Sequence, residues 1–478
     1  MEATIVSYLE KKYKLSIPML SLSEYKSGNT IGYCQNDLFE IISLKINQQQ
    51  LSEFPKEIIT LKKLVDLQLI STGIPSIPDN ISDLENLEAL YVNRNGIKSI
   101  PRSISKLKKL KKLRLNHNPI ENIPPEIIHQ GLKAIQEYLS SLSGIVKSLN
   151  EVKVILVGDG GSGKTSVLKR LLNDDFDISE NKTHGIRILK DNFQIEKQNF
   201  KINFWDFGGQ EIMHSTHQFF LSKRSLYVLV LDGRKEEDPE YWLKHIETFG
   251  GFSPVIVLLN KYDDNPSFEV NRKFLQEKFK NIVGFIKISC KTKYNFTSFI
   301  KLLKSQISKI DHISTKWPEE WFNIKKHLEE LETDYITYND YERICNEYDL
   351  GNVESQKTLI DFLNDLGVIL HFNDINLNET NVINPHWITT AVYSIVNSEK
   401  VANERGEVNL SNLSRILNVK TYPVSKYGYI IGLMKKFELC YSIDESKILI
   451  PDLLDIQEPE YEFDNETQIK FHCCPVKL

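Results

Sequence analysis

No apolar run in this 478-residue chain approaches the roughly 18 to 20 residues needed to cross a bilayer. Its first residues, Met1-Glu-Ala-Thr-Ile-Val, lack the basic flank and apolar core of a secretion signal. A membrane-spanning class is set aside, and a cytoplasmic protein is the expectation. The six cysteines, Cys34, Cys290, Cys345, Cys440, Cys473 and Cys474, show no C-x-x-C spacing, so they predict free thiols rather than a zinc site. An excess of one charge is also missing. With 59 basic and 64 acidic residues the net charge is only −5, which gives no overall pull toward nucleic acid or an anionic membrane. Hydrophobic residues make up 41% and charged residues 26%, as in an ordinary globular chain long enough for about three domains.

What is present first is a period. Leu38, Leu61, Leu84 and Leu107 recur every 23 residues, and Pro55, Pro78, Pro101 and Pro124 keep the same step. Each unit reads L-x-x-L-x-L-x-x-N, as in Leu87-Glu-Ala-Leu90-Tyr-Val92-Asn-Arg-Asn95, which is the leucine-rich-repeat signature. Gln49 and Thr72 replace two of the four asparagines, so the first coils are expected to be less regular. Residues 1–37 precede the period and are expected to cap the solenoid, 38–130 to form it, and 131–150 to serve as a connecting helix. Alternate strand residues line the concave face: Ser43, Lys45, Asn47, Asp66, Gln68, Ile70, Ala89, Tyr91, Asn93, Lys112, Arg114 and Asn116. That face is either a surface for a protein partner or a solvated polar surface. The basic run Lys108-Lys109 and Lys111-Lys112 is assigned to solvated surface, and no nucleic-acid partner is expected.

The second feature is chemical. Val152-Lys-Val-Ile-Leu-Val157 has the composition of a buried parallel strand and runs directly into Gly158-Asp-Gly160-Gly161-Ser162-Gly163-Lys164-Thr165. Glycines let backbone N–H groups curl around a phosphate, Lys164 adds a point charge, Thr165 offers a hydroxyl to Mg²⁺, and Ser166 continues into a helix whose positive end faces the anion. Asp206-Phe-Gly208-Gly209-Gln210 comes after a second strand. Asp206 can hold Mg²⁺ through water, Gly209 can give its N–H to a γ-phosphate, and Gln210 either orients an attacking water or is a solvent-facing loop residue. Thr183, between the two motifs, is a further candidate for Mg²⁺.

Asn260-Lys261-Tyr-Asp263 ends another apolar strand. Asp263 can accept from guanine N1–H and its exocyclic amine, a donor pair that adenine lacks. Asn260 braces the site, the Lys261 stem covers the purine face, and Ser289-Cys290-Lys291 brings a backbone amide near guanine O6. Five elements in this order predict a doubly wound sheet over residues 151–311 that binds GTP and GDP with Mg²⁺.

With these motifs, and with His214-Ser-Thr216-His217-Gln-Phe219-Phe220-Leu221, Asp365-Leu-Gly-Val-Ile-Leu-His371-Phe372, Asn384-Pro385-His-Trp387 and Lys436-Phe437-Glu-Leu-Cys-Tyr441, the chain resembles the Roco family. The resemblance implies a multidomain α/β protein: leucine-rich repeats, a Ras-like Roc GTPase domain and a COR region. The first half of COR falls at 312–457, and an incomplete start of its second half at 458–478. It further implies GTP hydrolysis, COR coupling of nucleotide state to homodimer association, and Arg234 as a catalytic cation. The other role for Arg234 is a surface residue or a helix-entry contact beside Asp238-Pro239. His214 and His217 are expected to pack rather than act as bases. No kinase motif set is found. The alternatives to a GTPase are a guanine-nucleotide-binding scaffold with negligible hydrolysis and an ATPase, the latter opposed by Asn260-Lys261-Tyr-Asp263.

Overall fold

The computed structural model describes residues 2–28, 30–142, 144–172, 176–177, 185–208, 214–235, 238–310, 316–374 and 377–454. They form two compact units, Met1–Thr390 and the residues from Ala391 onward. No helix among the described residues is long and apolar enough to cross a membrane.

In the first unit, α1 (Glu2–Tyr13) and α2 (Leu22–Lys26) precede a five-stranded sheet: β1 (Ile31–Gln35), β2 (Ile41–Ile46), β3 (Asp66–Gln68), β4 (Ala89–Tyr91) and β5 (Lys112–Arg114). From β2 to β5 the strands are parallel and in step, aligning Ser43, Asp66, Ala89 and Lys112 in one row and Lys45, Gln68, Tyr91 and Arg114 in the next. Leu44, Leu67 and Leu90 fill the interior, fully buried.

Each coil bends just past its strand at a left-handed residue: Gln48, Ser71, Arg94 and His117, with φ of 58°, 56°, 57° and 59°. Such a conformation costs a non-glycine residue about 1 kcal/mol or more. Asparagine offsets it. Asn95 Oδ1 accepts from the N–H groups of Thr72 and Gly73 at 2.8 Å, while its amide donates to the carbonyls of Leu69 and Val92.

The first coil departs from the 23-residue pattern. Leu61, Leu84 and Leu107 are buried, but Leu38 is 76% exposed. Asn36 Oδ1 accepts from the N–H groups of Leu38 and Glu40, closing a tight turn, so β1 and β2 form an antiparallel hairpin and Leu38 is thrown outward. The boundary expected between a cap and the repeats at residue 37/38 thus falls inside this hairpin.

The far end is closed by α3 (Pro125–Gln130) and α4 (Leu132–Ser141), which break at Gly131 (φ 95°). Gln136 of α4 donates to the carbonyls of Ile104 and Leu107 in the last coil.

After β6 (Val146–Ser148) comes a six-stranded sheet built from β7 (Glu151–Val157), β8 (Ile186–Ile195), β9 (Gln198–Phe207), β10 (Ser225–Asp232), β11 (Val255–Asn260) and β12 (Ile282–Lys287). Its order is β12-β11-β10-β7-β9-β8, parallel except for the antiparallel edge strand β8. The connections between these strands carry α5 (Lys164–Leu172), α6 (His214–His217), α7 (Pro239–His245) and α8 (Arg272–Lys278), and α9 (Phe296–Ile307) follows β12. Residues of β7 and β10 are buried throughout, as expected for central strands covered on both faces.

The chain then returns through β13 (Lys316–Pro318), which pairs with β6, to α10 (Glu319–Glu330), β14 (Tyr335–Thr337), α11 (Tyr338–Glu347), α12 (Val353–Leu366), β15 (Thr380–Val382) and α13 (Pro385–Val396). One hydrophobic core continues from the repeats through Ile135 and Tyr138 to Trp317, Trp321 and Phe362. Against the sheet, Arg224 Nε meets Asp365 Oδ2 at 3.1 Å with its guanidinium 3.7 Å from the Phe362 ring centre. Gly367 (φ 73°) allows the close approach of Trp205, since a Cβ there would lie 2.5 Å from the indole.

Beneath this contact Lys153 is buried. Its Nζ donates to the Phe220 carbonyl at 2.7 Å and lies 4.3 Å from the Trp205 ring centre. Burial lowers its pKa to about 7, with Asp365 opposing the shift.

The second unit contains α14 (Glu399–Asn403), β16 (Glu407–Asn409), α15 (Tyr427–Lys436), β17 (Tyr441–Ser442) and β18 (Lys447–Leu449), with the three strands in the order β16-β18-β17. Cys34, Cys290, Cys345 and Cys440 are free and buried.

The packing sets two expected outcomes. Asn95→Ala removes the acceptor of the Thr72 and Gly73 N–H groups and one donor each to the Leu69 and Val92 carbonyls, and is expected to cost about 2 to 4 kcal/mol in a denaturant titration, whereas a loss under about 0.5 kcal/mol would contradict the ladder. A lysine whose folded pKa is depressed destabilises the fold fully below that value, and the penalty fades as pH rises toward the unfolded value. Lys153→Met is therefore expected to raise Tm relative to the native chain more at pH 7 than at pH 10.

Candidate functional site

The carboxyl ends of β7, β9, β10 and β11 converge where an open α/β sheet places its ligand crevice. β7 ends at Val157, and residues 158–163 turn into α5. Gly158 (φ 136°) and Gly163 (φ 96°) are sterically required: a Cβ on the first would lie 2.2 Å from the Val230 carbonyl, and on the second 2.4 Å from Asn260 Nδ2. Gly161 (φ 81°) has open space around its Cβ position. The loop therefore cannot carry side chains where it touches the sheet, while one of its glycines leaves room above.

Lys164 is buried, and its Nζ donates to the carbonyls of Gly158 at 2.6 Å and Asp159 at 2.9 Å. Its charge is thus held within the loop's own curve. Thr165, in the first turn of α5 next to Ser166, donates its hydroxyl to Asp206 Oδ2 at 2.6 Å. Asp206 is fully buried near the end of β9. A hydroxyl and a carboxylate in contact at the mouth of the loop are hard oxygen donors of the type Mg²⁺ takes, so these residues fit that ion. Thr183, Gly209 and Gln210 lie outside the described residues.

The residues expected from sequence to meet the base form one cluster. Asn260 donates from Nδ2 to the Ser162 carbonyl at 2.8 Å and accepts from Cys290 Sγ at 3.5 Å. Lys261 donates to the Gly161 carbonyl and, at 2.6 Å, to Asp232 Oδ2. Asp263 accepts from Ser289 Oγ at 2.5 Å, and Lys291 Nζ lies 3.9 Å from its other oxygen. Tyr262 and Tyr294 stack with ring centres 4.2 Å apart, joining the two loops, while Arg170 of α5 donates to the Cys290 carbonyl. Burial pushes the Cys290 thiol up to about 12, so it stays protonated.

Arg234 is exposed, as the surface alternative expected, and is anchored to Asp232 rather than to the start of α7. Its guanidinium grips both carboxylate oxygens of Asp232, at 3.1 and 3.0 Å, with Asp264 at 4.0 Å. Asp238, by contrast, caps α7 by accepting from the Glu240 N–H. Asp232 is fully buried; burial alone would raise its pKa, but Arg234 and Lys261 hold it at about 2. Lys235 joins Lys164 and Lys261 at the phosphate-loop backbone, its Nζ 3.4 Å from the Gly160 carbonyl.

Asp232, Lys235, Asp159 and Trp242 were not singled out from sequence. Trp242 Nε1 donates to Asp159 Oδ1 at 2.9 Å, tying α7 to the loop. His217 is buried, with its ring 4.6 Å from Phe207 and stacked toward Trp242 at 6.1 Å, in keeping with the packing role expected for it. Asp232 did carry a signal, as a carboxylate at the carboxyl end of the strand beside the phosphate-loop strand. Lys235 and Trp242 carried none, since only the tertiary fold brings them to the loop.

Comparison with known proteins agrees with this geometry. Family models match residues 85–128 as leucine-rich repeats, 153–263 as Roc, "Ras of Complex, Roc, domain of DAPkinase", and 318–454 as "C-terminal of Roc, COR-A domain". A Roc-COR-CHAT protease of Runella zeae is 31% identical over 372 residues, covering 70% of this chain and 39% of that protein. The probable serine/threonine-protein kinase pats1 of Dictyostelium discoideum is 26% identical, covering 69% of this chain and 12% of its own length. The chain thus spans well under half of these curated relatives. The solved structure of Methanosarcina barkeri Roco2 RocCORdC bound to GDP is 57% identical with a TM-score of 0.63, covering 65% of this chain and 98% of that one. Leucine-rich repeats, a Roc domain and a COR region in one chain, with 57% identity across almost all of a solved Roco protein, place this chain in the Roco family.

Proposed function

We propose that this protein binds GTP and GDP, hydrolyses GTP to GDP and phosphate with Mg²⁺, and acts as a nucleotide-dependent conformational and assembly switch. The observation that carries the reading is that the Asp263 cluster and the phosphate loop are hydrogen-bonded to each other through Asn260 and Lys261. A guanine accepted by Asp263 would sit at a fixed reach from the N–H groups around Gly160, Gly161, Ser162 and Gly163. The GDP bound by the Methanosarcina relative supports the same ligand class.

In hydrolysis, water oxygen bonds to the γ-phosphorus, the bond from that phosphorus to the β–γ bridging oxygen breaks, and GDP leaves. Mg²⁺, held by Thr165 and Asp206, would supply charge neutralisation on the phosphates. Lys164 exchanges its two carbonyl partners for phosphate oxygens, Thr165 and Asp206 hold the metal site, Thr183 joins them, and Gln210 orients the water. Gly209 gives its N–H to the γ-phosphate. Asn260, Lys261, Asp263 and the loop Ser289-Cys290-Lys291 hold the base.

Lys235, beside Gly160, is a second cation at the loop that could serve the transferring group alongside Lys164. Arg234 acts through Asp232 to fix Lys261. The switch is read out across the Arg224–Asp365 contact, where sheet and α12 meet, and association of two protomers through the Roc and COR regions belongs to the same reading. The second reading, a guanine-nucleotide-binding scaffold with negligible hydrolysis, draws on Arg234 being already engaged by Asp232.

Single-turnover hydrolysis with Mg²⁺ separates the two readings. Gln210→Leu and Lys235→Ala are each expected to slow turnover at least about tenfold, given that a cation at the transferring phosphate is worth about 10³ to 10⁵. Arg234→Ala is expected to weaken nucleotide binding more than the chemical step. Equal, water-like rates in all four proteins would leave only the scaffold, and ATP held as tightly as GTP would remove both readings.

A further inference from the structure

The concave face of the repeats is not uniformly open. At its first coils the chain covers itself. Tyr25 of α2 donates its hydroxyl to Asp66 Oδ1 at 2.6 Å, its carbonyl accepts from Lys45 Nζ at 2.7 Å, and that ammonium lies 4.4 Å from the Tyr25 ring centre. Ser43, Lys45 and Asn47 are consequently buried. A tyrosine-bearing helical segment thus occupies half of the surface by putting an aromatic ring against a concave lysine.

The other half has the same ingredients without the occupant. Lys112 and Arg114 stand exposed on the same face of β5, in register with Ala89 and Tyr91 of β4, and Arg94 is exposed at the bend beyond β4. None of the three cations has an acidic partner among the described residues, whereas nearby Lys111 and Lys98, outside these rows, are paired with Glu88 and Glu121. Like charges this close together repel, and in a chain of net charge −5 they form a local positive patch around one aromatic ring. The small Ala89 leaves a shallow floor between Lys112 and Tyr91.

We propose that this half of the concave face, at Tyr91, Arg94, Lys112 and Arg114, is a docking site for an acidic, aromatic-bearing segment of a partner protein. The proposal rests on the repeats serving as a protein-binding surface and is independent of the nucleotide reading. Carboxylates of the partner pair with Lys112, Arg114 and Arg94, while its aromatic side chain packs by Tyr91 as Tyr25 packs by Lys45. Three cations around one ring suit a short polypeptide rather than the long phosphate track that a nucleic acid presents. Opposite charge at the rim speeds encounter and makes binding salt-dependent.

The test is fluorescence anisotropy with the full chain and three labelled probes: a short synthetic peptide alternating Glu and Tyr, its counterpart alternating Lys and Tyr, and a single-stranded oligonucleotide of the same net charge as the acidic peptide. The acidic peptide is expected to bind, to lose at least about tenfold in affinity with Lys112→Glu/Arg114→Glu, and to lose severalfold with Tyr91→Ala. Reversal of the outward-facing Lys62 and Lys133 is expected to leave binding unchanged. Because the cations repel one another, the double variant is expected to melt no lower than the native chain, which separates lost binding from lost folding. Equal binding of the oligonucleotide, an unaffected double variant, or no binding of the acidic peptide would overturn the proposal. Binding of the Lys-Tyr peptide instead, abolished by Tyr91→Ala, would overturn the acidic class while leaving the concave face as a protein-binding surface.

Discussion

The amide of Asn260 donating to the Ser162 carbonyl is the contact on which the rest of the site depends. It joins the end of β11, just before Asp263, to the loop after β7, the two places proposed to meet base and phosphate. Gly163 is glycine because that amide comes so close that a Cβ would lie 2.4 Å away. Lys261 makes the second tie, to Gly161, and is itself steered by Asp232, whose buried carboxylate is held ionised by two cations. Two sequence motifs about a hundred residues apart are thus hydrogen-bonded into one object.

Outside that object, packed and hydrogen-bonded contacts run from the sheet to α12. Lys153, buried in β7, reaches the Phe220 carbonyl just after α6, and Ser222 donates to the Asp365 carbonyl at the end of α12. Arg224 closes the same contact with an ion pair over Phe362, and Phe362 belongs to a core that continues through Trp317 and Tyr138 into the repeats. A change in the segment after β9 would therefore be felt by α12 through packed side chains. A second tie runs from the loop itself: Asp159 is held by Trp242, and Trp242 lies against His217.

Local spacing made the nucleotide motifs and the repeat period legible, because both chemistries need particular residues within a few positions of one another. The registered rows Lys45, Gln68, Tyr91 and Arg114 come directly from a 23-residue step and the alternation of a strand. Leu38 kept the step yet left the core, since Asn36 two residues earlier closes a turn that the period does not encode. Gly367 against Trp205, Tyr25 over Lys45, and Arg234 on Asp232 were illegible for another reason. The first two join residues far apart in sequence, and the third depends on a carboxylate that only the surrounding sheet buries.

If base site and phosphate loop are one object, breaking their link should be felt by a ligand that has no base. Calorimetric titration of Asn260→Ala with Mg²⁺ and inorganic tripolyphosphate, beside GDP, reads this directly. Losing a hydrogen bond to a buried carbonyl is worth about 1 to 3 kcal/mol, so both ligands are expected to weaken together by roughly 10-fold or more. Unchanged tripolyphosphate binding with weakened GDP would show that Asn260 serves the base alone and would contradict the account.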